Sequence, residues 1–229
     1  VWFGTDIGLF KWTRPENKFQ LFTPPNTKSA LRSIVRADER TLHIHTLEGR
    51  ICQFNTSKNK FLSSAIAADT LSVHTPIYCA LAQPDGSTWL GTNGDGLVHC
   101  SPGFKKIANY VYPKTTTTHW VMDIHSARNK GRLWCATWEH GLWQFDLSTK
   151  QLTAKNQHLV KLLQDDSFTI FCIEEDSSGA LWLGTYGDGL VWFQPETGAA
   201  TLYSEKEGLP SNTIYSIVIE KNYIFFPNI

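Results

Sequence analysis

Leu181-Trp182-Leu183-Gly184-Thr185-Tyr186-Gly187-Asp188-Gly189-Leu190-Val191-Trp192-Phe193 is the stretch that decides the fold. Two apolar-alternating runs flank a Gly-Asp-Gly turn, the pattern of an antiparallel hairpin whose turn needs positive-φ residues. Its first run recurs as Trp2-Phe3-Gly4-Thr5, Trp89-Leu90-Gly91-Thr92 and Trp134-Cys135-Ala136-Thr137, with a degraded copy in His43-Ile44-His45-Thr46. The Thr positions 5, 46, 92, 137 and 185 are 41, 46, 45 and 48 residues apart, averaging 45.

Outward from this hairpin, each copy is built alike. A Gly-Leu run follows the turn, as in Gly8-Leu9, Gly96-Leu97, Gly141-Leu142 and Gly189-Leu190. Another apolar run precedes the Trp: Leu31–Val35, Ile77–Leu81, Val121–Ile124, Ile170–Ile173 and Ile214–Val218. A shorter fourth run ends the unit, such as Lys18–Phe22, Lys60–Ser63 or Ala200–Tyr203. Four short antiparallel strands per unit of this length are the mark of a β-propeller blade. The expected fold is therefore all-β, a propeller of four-stranded antiparallel blades. About five blades are expected, at 1–27 (partial), 28–72, 73–115, 116–163, 164–208 and 209–229 (partial). Seven blades would need about 315 residues, so the chain reads as a segment of a larger, seven-bladed propeller in preference to a closed five-blade ring.

Composition narrows the function. The 229 residues carry 21 Lys+Arg against 21 Asp+Glu, a net charge of 0. A duplex-binding surface needs a basic excess, so nucleic acid is not an expected partner. No run of residues is long and apolar enough to span a bilayer, so any membrane link would come from parts outside this segment. The first residues show no initiator Met and no signal sequence, as in an excised piece. Five Cys (52, 79, 100, 135 and 172) form no Cys-x-x-Cys pair and read as buried thiols.

Leu181–Phe193 and the later Glu207-Gly208-Leu209-Pro210-Ser211-Asn212-Thr213-Ile214-Tyr215-Ser216-Ile217 together resemble the two-component regulator propeller repeat. The resemblance runs along essentially the whole chain, strongest at 89 and 182 and poorest at 43. It implies a non-enzymatic, periplasmic ligand-sensing module of a membrane-anchored bacterial two-component or diguanylate cyclase protein. It also implies a small-molecule or carbohydrate ligand and an adjacent propeller or dimer partner. A five-bladed sugar-binding lectin and a propeller lyase of the streptogramin-inactivating kind are the alternatives. The lectin requires similar loops in every blade, and the loops at 47, 94, 138 and 186 differ.

In a propeller, the loop leading into the first strand and the turn between the second and third strands share one face. Here that face carries His74-Thr75-Pro76, Thr118-His119-Trp120, Asp166-Ser167-Phe168 and Ser211-Asn212-Thr213, with Asp6, Glu48, Asn93 and Asp95. The expected ligand-binding residues are His119, Trp120, Asp123, His125, Trp138, Glu139, His140, Tyr186 and Asp188. Trp138-Glu139-His140 replaces the small turn residues of its siblings, and aromatic rings beside acid and imidazole groups suit recognition of a sugar or peptide. Asp123 is the odd member of a first-strand column otherwise made of Ser33, Cys79, Cys172 and Ser216, and His125 shares its strand face. His43 and His45 share a face but are too few ligands for a metal site. One carboxylate per Gly-Asp-Gly turn is too few for calcium. Glu174-Glu175-Asp176 and Asp165-Asp166 read as solvated acids. No catalytic motif and no cofactor is expected.

Overall fold

The computed structural model describes residues 1–25, 29–62, 75–112, 119–128, 131–221 and 223–226. His74, Thr118, Ser63 and Pro227 lie outside the described residues, as do the expected blade boundaries near 27, 72 and 115.

The chain divides into two compact units, Val1–Val111 with Thr116–Thr118, and Tyr112–Thr115 with His119–Ile229. The first holds a three-stranded sheet, β1 (Trp2–Gly4), β2 (Leu9–Thr13) and β3 (Lys18–Phe22). It also holds two four-stranded sheets. One comprises β4 (Leu31–Arg36), β5 (Thr41–Thr46), β6 (Ile51–Asn55) and β7 (Lys60–Phe61). The other comprises β8 (Ile77–Ala82), β9 (Thr88–Thr92), β10 (Leu97–Cys100) and β11 (Lys106–Tyr110).

The second unit repeats the plan. One sheet is β12 (Val121–Ser126), β13 (Arg132–Thr137), β14 (Gly141–Asp146) and β15 (Gln151–Ala154). The next is β16 (Ile170–Glu175), β17 (Leu181–Thr185), β18 (Leu190–Gln194) and β19 (Ala199–Tyr203). A two-stranded ladder, β20 (Val218–Glu220) and β21 (Tyr223–Phe225), follows. Every sheet is an antiparallel meander, strand after strand in chain order, which is the build of a propeller blade.

The repeated residues do repeated work. The Thr that closes the second strand donates its hydroxyl to a carbonyl across the turn. The bonds are Thr5 to Gly8 O (2.9 Å), Thr92 to Gly96 O (2.9 Å), Thr137 to Gly141 O (2.7 Å) and Thr185 to Gly189 O (2.8 Å). Gly189 takes φ +115°, and a Cβ there would run into the Tyr203 carbonyl, so this position requires glycine. Apolar strand residues pack between consecutive sheets within each unit. In the second unit Trp134, Leu142, Phe168, Ile173, Leu183 and Phe193 form one such layer. In the first, Ile51, Ile77, Leu90, Val98 and Phe104 do the same. Full burial of a large apolar side chain is worth roughly 1.5–3 kcal/mol, so these layers are what hold each sheet to the next. All five Cys are free thiols, and four of them are buried.

Three features depart from the sequence reading. The run Ile214–Val218 is expected as a strand, but the ladder starts only at Val218, because the facing strand β21 is three residues long. A short helix, α1 (Gln157–Leu163), stands between β15 and β16 and is not foreseen; it seats Leu159 in the second unit's apolar layer. Glu175 is not a solvated acid. Its side chain is 7% exposed, faces His125 at 3.9 Å and accepts a hydrogen bond from the Arg128 amide at 2.9 Å.

Candidate functional site

The expected site falls in the second unit, where backbone hydrogen bonds weave the turns and leading loops together. Trp138 N donates to Trp120 O (3.2 Å), joining the β13–β14 turn to the loop leading into its own sheet. Glu139 N donates to Thr169 Oγ1 (2.9 Å) and Gly141 N to Phe168 O (3.1 Å), joining the same turn to the loop of the following sheet. The β17–β18 turn repeats this, with Tyr186 N donating to Thr169 O (3.1 Å) and Gly187 N to Asn212 O (3.1 Å). The two kinds of loop therefore do share one side within this unit, and these bonds pin the backbone that carries their side chains.

On that side five aromatic rings form a continuous cluster. Trp138 lies 5.5 Å from Trp120, 5.8 Å from Tyr186 and 6.1 Å from Phe171, ring centre to ring centre. Phe171 in turn meets Tyr186 at 5.6 Å and stacks on Tyr215 at 4.8 Å. Tyr186 and Tyr215 are 54% and 48% exposed. Trp120, Trp138 and Tyr186 are thus brought together as the sequence reading anticipates.

Phe171 and Tyr215 are additions that the sequence reading missed. Each four-stranded sheet has a register shift at the second residue of its first strand: between Leu31 and Ser33, Ile77 and Cys79, Val121 and Asp123, and Ile170 and Cys172. The residue squeezed out is Arg32, Tyr78, Met122 or Phe171, and a bulge of this kind re-aims a side chain. Tyr215 holds the same place in Ile214-Tyr215-Ser216-Ile217. In the first unit the Arg32 guanidinium lies 6.0 Å over the Tyr78 ring. Aligning the five apolar runs at this position was the signal that could have found the column.

Glu139 stands where its sibling turn has Gly187. It takes φ 61° and Gly187 takes 93°. A left-handed non-glycine residue costs on the order of 1 kcal/mol, and here that backbone presents an exposed carboxylate next to Trp138. Asp188 is half-buried, and its carboxyl is raised above the ordinary range, first by burial and then by the charge of Asp165.

His119 and His140 sit apart from the ring cluster, around Tyr112. Their rings meet the Tyr112 ring edge-on at 5.0 and 5.1 Å, and Tyr112 stacks on Trp143 at 5.1 Å. His119 Nδ1 and His140 Nε2 are buried and have no hydrogen-bond partner among the described residues. Burial holds His140 below the usual imidazole value, against a rise from Glu139 and with a further lowering from His119. Burial also raises the Tyr112 hydroxyl, which donates to Trp120 O at 3.4 Å.

Asp123 and His125 face β16, on one strand side as expected, and both engage that neighbouring strand. Asp123 Oδ1 accepts from Ile124 N (2.8 Å) and Oδ2 from Ile173 N (2.9 Å). Burial pushes the Asp123 carboxyl up to about 6 in spite of these two amides. His125 faces Glu175 and is lowered by burial, partly offset by that carboxylate. The structure thus divides the nine expected residues into three places: the ring cluster with its two acids, the Tyr112 group, and the β12–β16 seam. Among the described residues no group of three or more His, Cys, Asp or Glu gathers as a metal would require.

Meandering sheets of this kind, packed on one another through apolar layers within each unit, have the build of propeller blades. Residues 163–187 match the family model of the two component regulator propeller. The match covers that one stretch of the chain, and the solved structures the chain matches show the same fold. The chain is similar to the extracellular domain of a putative one component system from B. thetaiotaomicron, at 18% identity and a TM-score of 0.78 over 98% of this chain and 30% of that one. It is also similar to the extracellular domain of a putative hybrid two component system from the same organism, at 19% identity, a TM-score of 0.77, and 98% and 30% coverage. PorZ, a surface component of the type-IX secretion system of Porphyromonas gingivalis, matches at 12% identity and a TM-score of 0.71 over 98% of this chain and 35% of its own. The chain spans about a third of the length of these structures. Comparison with curated proteins gives no match. This is a propeller domain resembling extracellular domains of hybrid two-component systems. Among the described residues no helix is long and apolar enough to cross a membrane.

Proposed function

We propose that this chain is a non-enzymatic, ligand-sensing segment of a larger propeller on the extracytoplasmic side of a membrane-anchored signalling protein, of the two-component or diguanylate cyclase kind. Binding at the loop side would shift an equilibrium that parts of the protein outside these residues pass on. The observation that carries this reading is the ring cluster. Five aromatic side chains from two consecutive blades and the start of a third meet on one loop surface, and two of the five are about half exposed. Exposed aromatic surface with polar groups at its margin suits a small-molecule or carbohydrate ligand. Propeller–propeller docking, in a dimer or in tandem, is part of the same proposal. The resemblance to extracellular domains supports the periplasmic address.

The test is a small-molecule and glycan screen read by tryptophan fluorescence and thermal shift, on the chain and on its Trp138→Ala variant. Hits that disappear with Trp138 support the reading. Hits indifferent to Trp138, Tyr186 and Tyr215 substitution would move recognition off this surface.

A further inference from the structure

The ring cluster can be asked which ligand chemistry it prefers, and this step rests on the recognition reading above. We infer that the surface takes a small organic cation of the quaternary-ammonium type, held over the faces of Trp138 and Tyr186 with Glu139 and Asp188 supplying the countercharge.

Three observations lead there. First, the rings are tilted against one another. Trp138, partly buried, is inclined 32° to Tyr186 and 45° to Trp120, and Tyr186 is 54% exposed, so the Tyr186 ring stands open to solvent beside Trp138. The negative face of an aromatic ring attracts a cation brought within about 6 Å of its centre, Trp most strongly. Second, the charges on the adjoining turns are of one sign. The turns 138–140 and 186–189 and the loops 164–169 and 208–213 contain Glu139, Asp188, Asp165 and Asp166 and no Lys or Arg. Glu139 and Asp188 have no ion-pair or side-chain hydrogen-bond partner among the described residues. The one imidazole in these turns, His140, is lowered by burial and adds no positive charge at neutral pH. Third, the acids are placed at a cost to the protein. Glu139 occupies a left-handed backbone position where the sibling turn has glycine. Asp188 is raised by burial and by Asp165 together, so negative charge is crowded there. A bound cation relieves that crowding and uses the ring faces. A neutral sugar uses only the rings, and an anionic ligand is opposed by both.

The experiment titrates the chain with choline chloride, with its neutral isostere 3,3-dimethylbutan-1-ol, and with cellobiose, following tryptophan fluorescence and confirming by calorimetry. Choline is expected to saturate, at least tenfold more tightly than the isostere, and to weaken as NaCl is raised. Glu139→Gln and Asp188→Asn should each weaken choline by threefold or more. Trp138→Ala should abolish it, with far-UV circular dichroism confirming that the variant folds. Equal binding of choline and its isostere, or choline binding unmoved by the Glu139→Gln/Asp188→Asn double variant, would overturn the cation inference. Cellobiose binding that depends on Trp138, with none for choline, would overturn it while leaving the recognition reading intact. Choline binding undiminished in Trp138→Ala would overturn both.

Discussion

The innermost layer of the first unit and that of the second solve the same packing problem with opposite chemistry. At one level of every four-stranded blade, the third residue of the first strand pairs with the Gly position of the Trp-Leu-Gly-Thr strand. The pairs are Ser33–His45, Cys79–Gly91, Asp123–Ala136 and Cys172–Gly184. One member of each pair is always small. Where the Gly position grows to His45, its partner is Ser33; where the first strand grows to Asp123, its partner is Ala136. The two exceptions are not equally well served. Asp123 reaches the next blade and accepts two backbone amides. His45 is completely buried, and neither ring nitrogen makes a hydrogen bond of good geometry among the described residues, the Ser33 backbone giving it only weak support. A polar group can therefore stitch blades together at this level or merely fill the space. Which it does depends on whether the neighbouring strand offers a free amide.

The size rule is the part most easily broken. At Gly184 a Cβ would meet Cys172 Sγ, Ile214 O and Ile214 Cγ2 at once. Gly184→Ala is expected to cost about 3 kcal/mol in chemical denaturation, because a backbone carbonyl cannot step aside. Gly187→Ala is the control. It has a positive φ, which the strand residue Gly184 does not, but a Cβ there meets nothing within 4 Å, so it should cost only the backbone strain, about 1 kcal/mol. Equal costs would refute the close-packed inner level.

Next in size is the stitch. Asp123→Ala leaves Ile124 N and Ile173 N buried without acceptors, and each such donor costs about 1–3 kcal/mol. A loss of about 2–3 kcal/mol at pH 7 is expected. A loss below 0.5 kcal/mol would mean that the carboxylate does not join the blades. The pH dependence adds a sign. The Asp123 carboxyl is raised from 3.8 to about 6 in the folded state, so its contribution is fullest below pH 4 and is lost as pH rises through 6. The stability gap between the native chain and the Asp123→Ala variant should therefore widen on acidification from pH 6 to 4.

Much of this fold can be read directly from the chain. Trp, Gly and Thr recur because each meets a demand the fold repeats: an interblade layer, a close approach and a closed turn. A local demand repeated five times leaves a period that composition alone would hide. The helix Gln157–Leu163 escapes notice because it occurs once and is only seven residues long, so it has neither a period nor room for an amphipathic pattern. Glu175 was misread for a related reason. Its turn-side sequence looks solvated, but its burial comes from Arg128 and His125, residues far off in the chain. The site was half legible. Trp120, Trp138 and Tyr186 announce themselves as large residues in turns of small ones. Phe171 looks like an ordinary strand residue until a bulge turns it, and a bulge is a property of pairing that no single strand displays; Tyr215 holds the same place in the repeat but lies outside any strand. The separation of His119 and His140 from the rings depends on Tyr112, whose loop lies outside the repeat.

The smallest expected effect tests the other half of the comparison. In the folded state His45 is held down from 6.5 to about 3, chiefly by burial. It is therefore neutral when folded and takes up a proton when unfolded below pH 6.5. Its contribution is intact above that value and is lost as pH falls toward 3, by up to about 1.4 kcal/mol per pH unit. That slope is opposite to the one assigned to Asp123. His45→Met keeps the volume and removes two poorly partnered ring nitrogens. The gain from losing them is partly offset by imperfect shape, leaving a stabilisation of about 1 kcal/mol at pH 7. The variant should also be the more acid-resistant of the two proteins, with the gap growing between pH 6 and 4. A destabilised variant, or a gap that does not change with pH, would mean that the imidazole has a strong polar partner after all. The two units would then differ only in the size of the residue they bury.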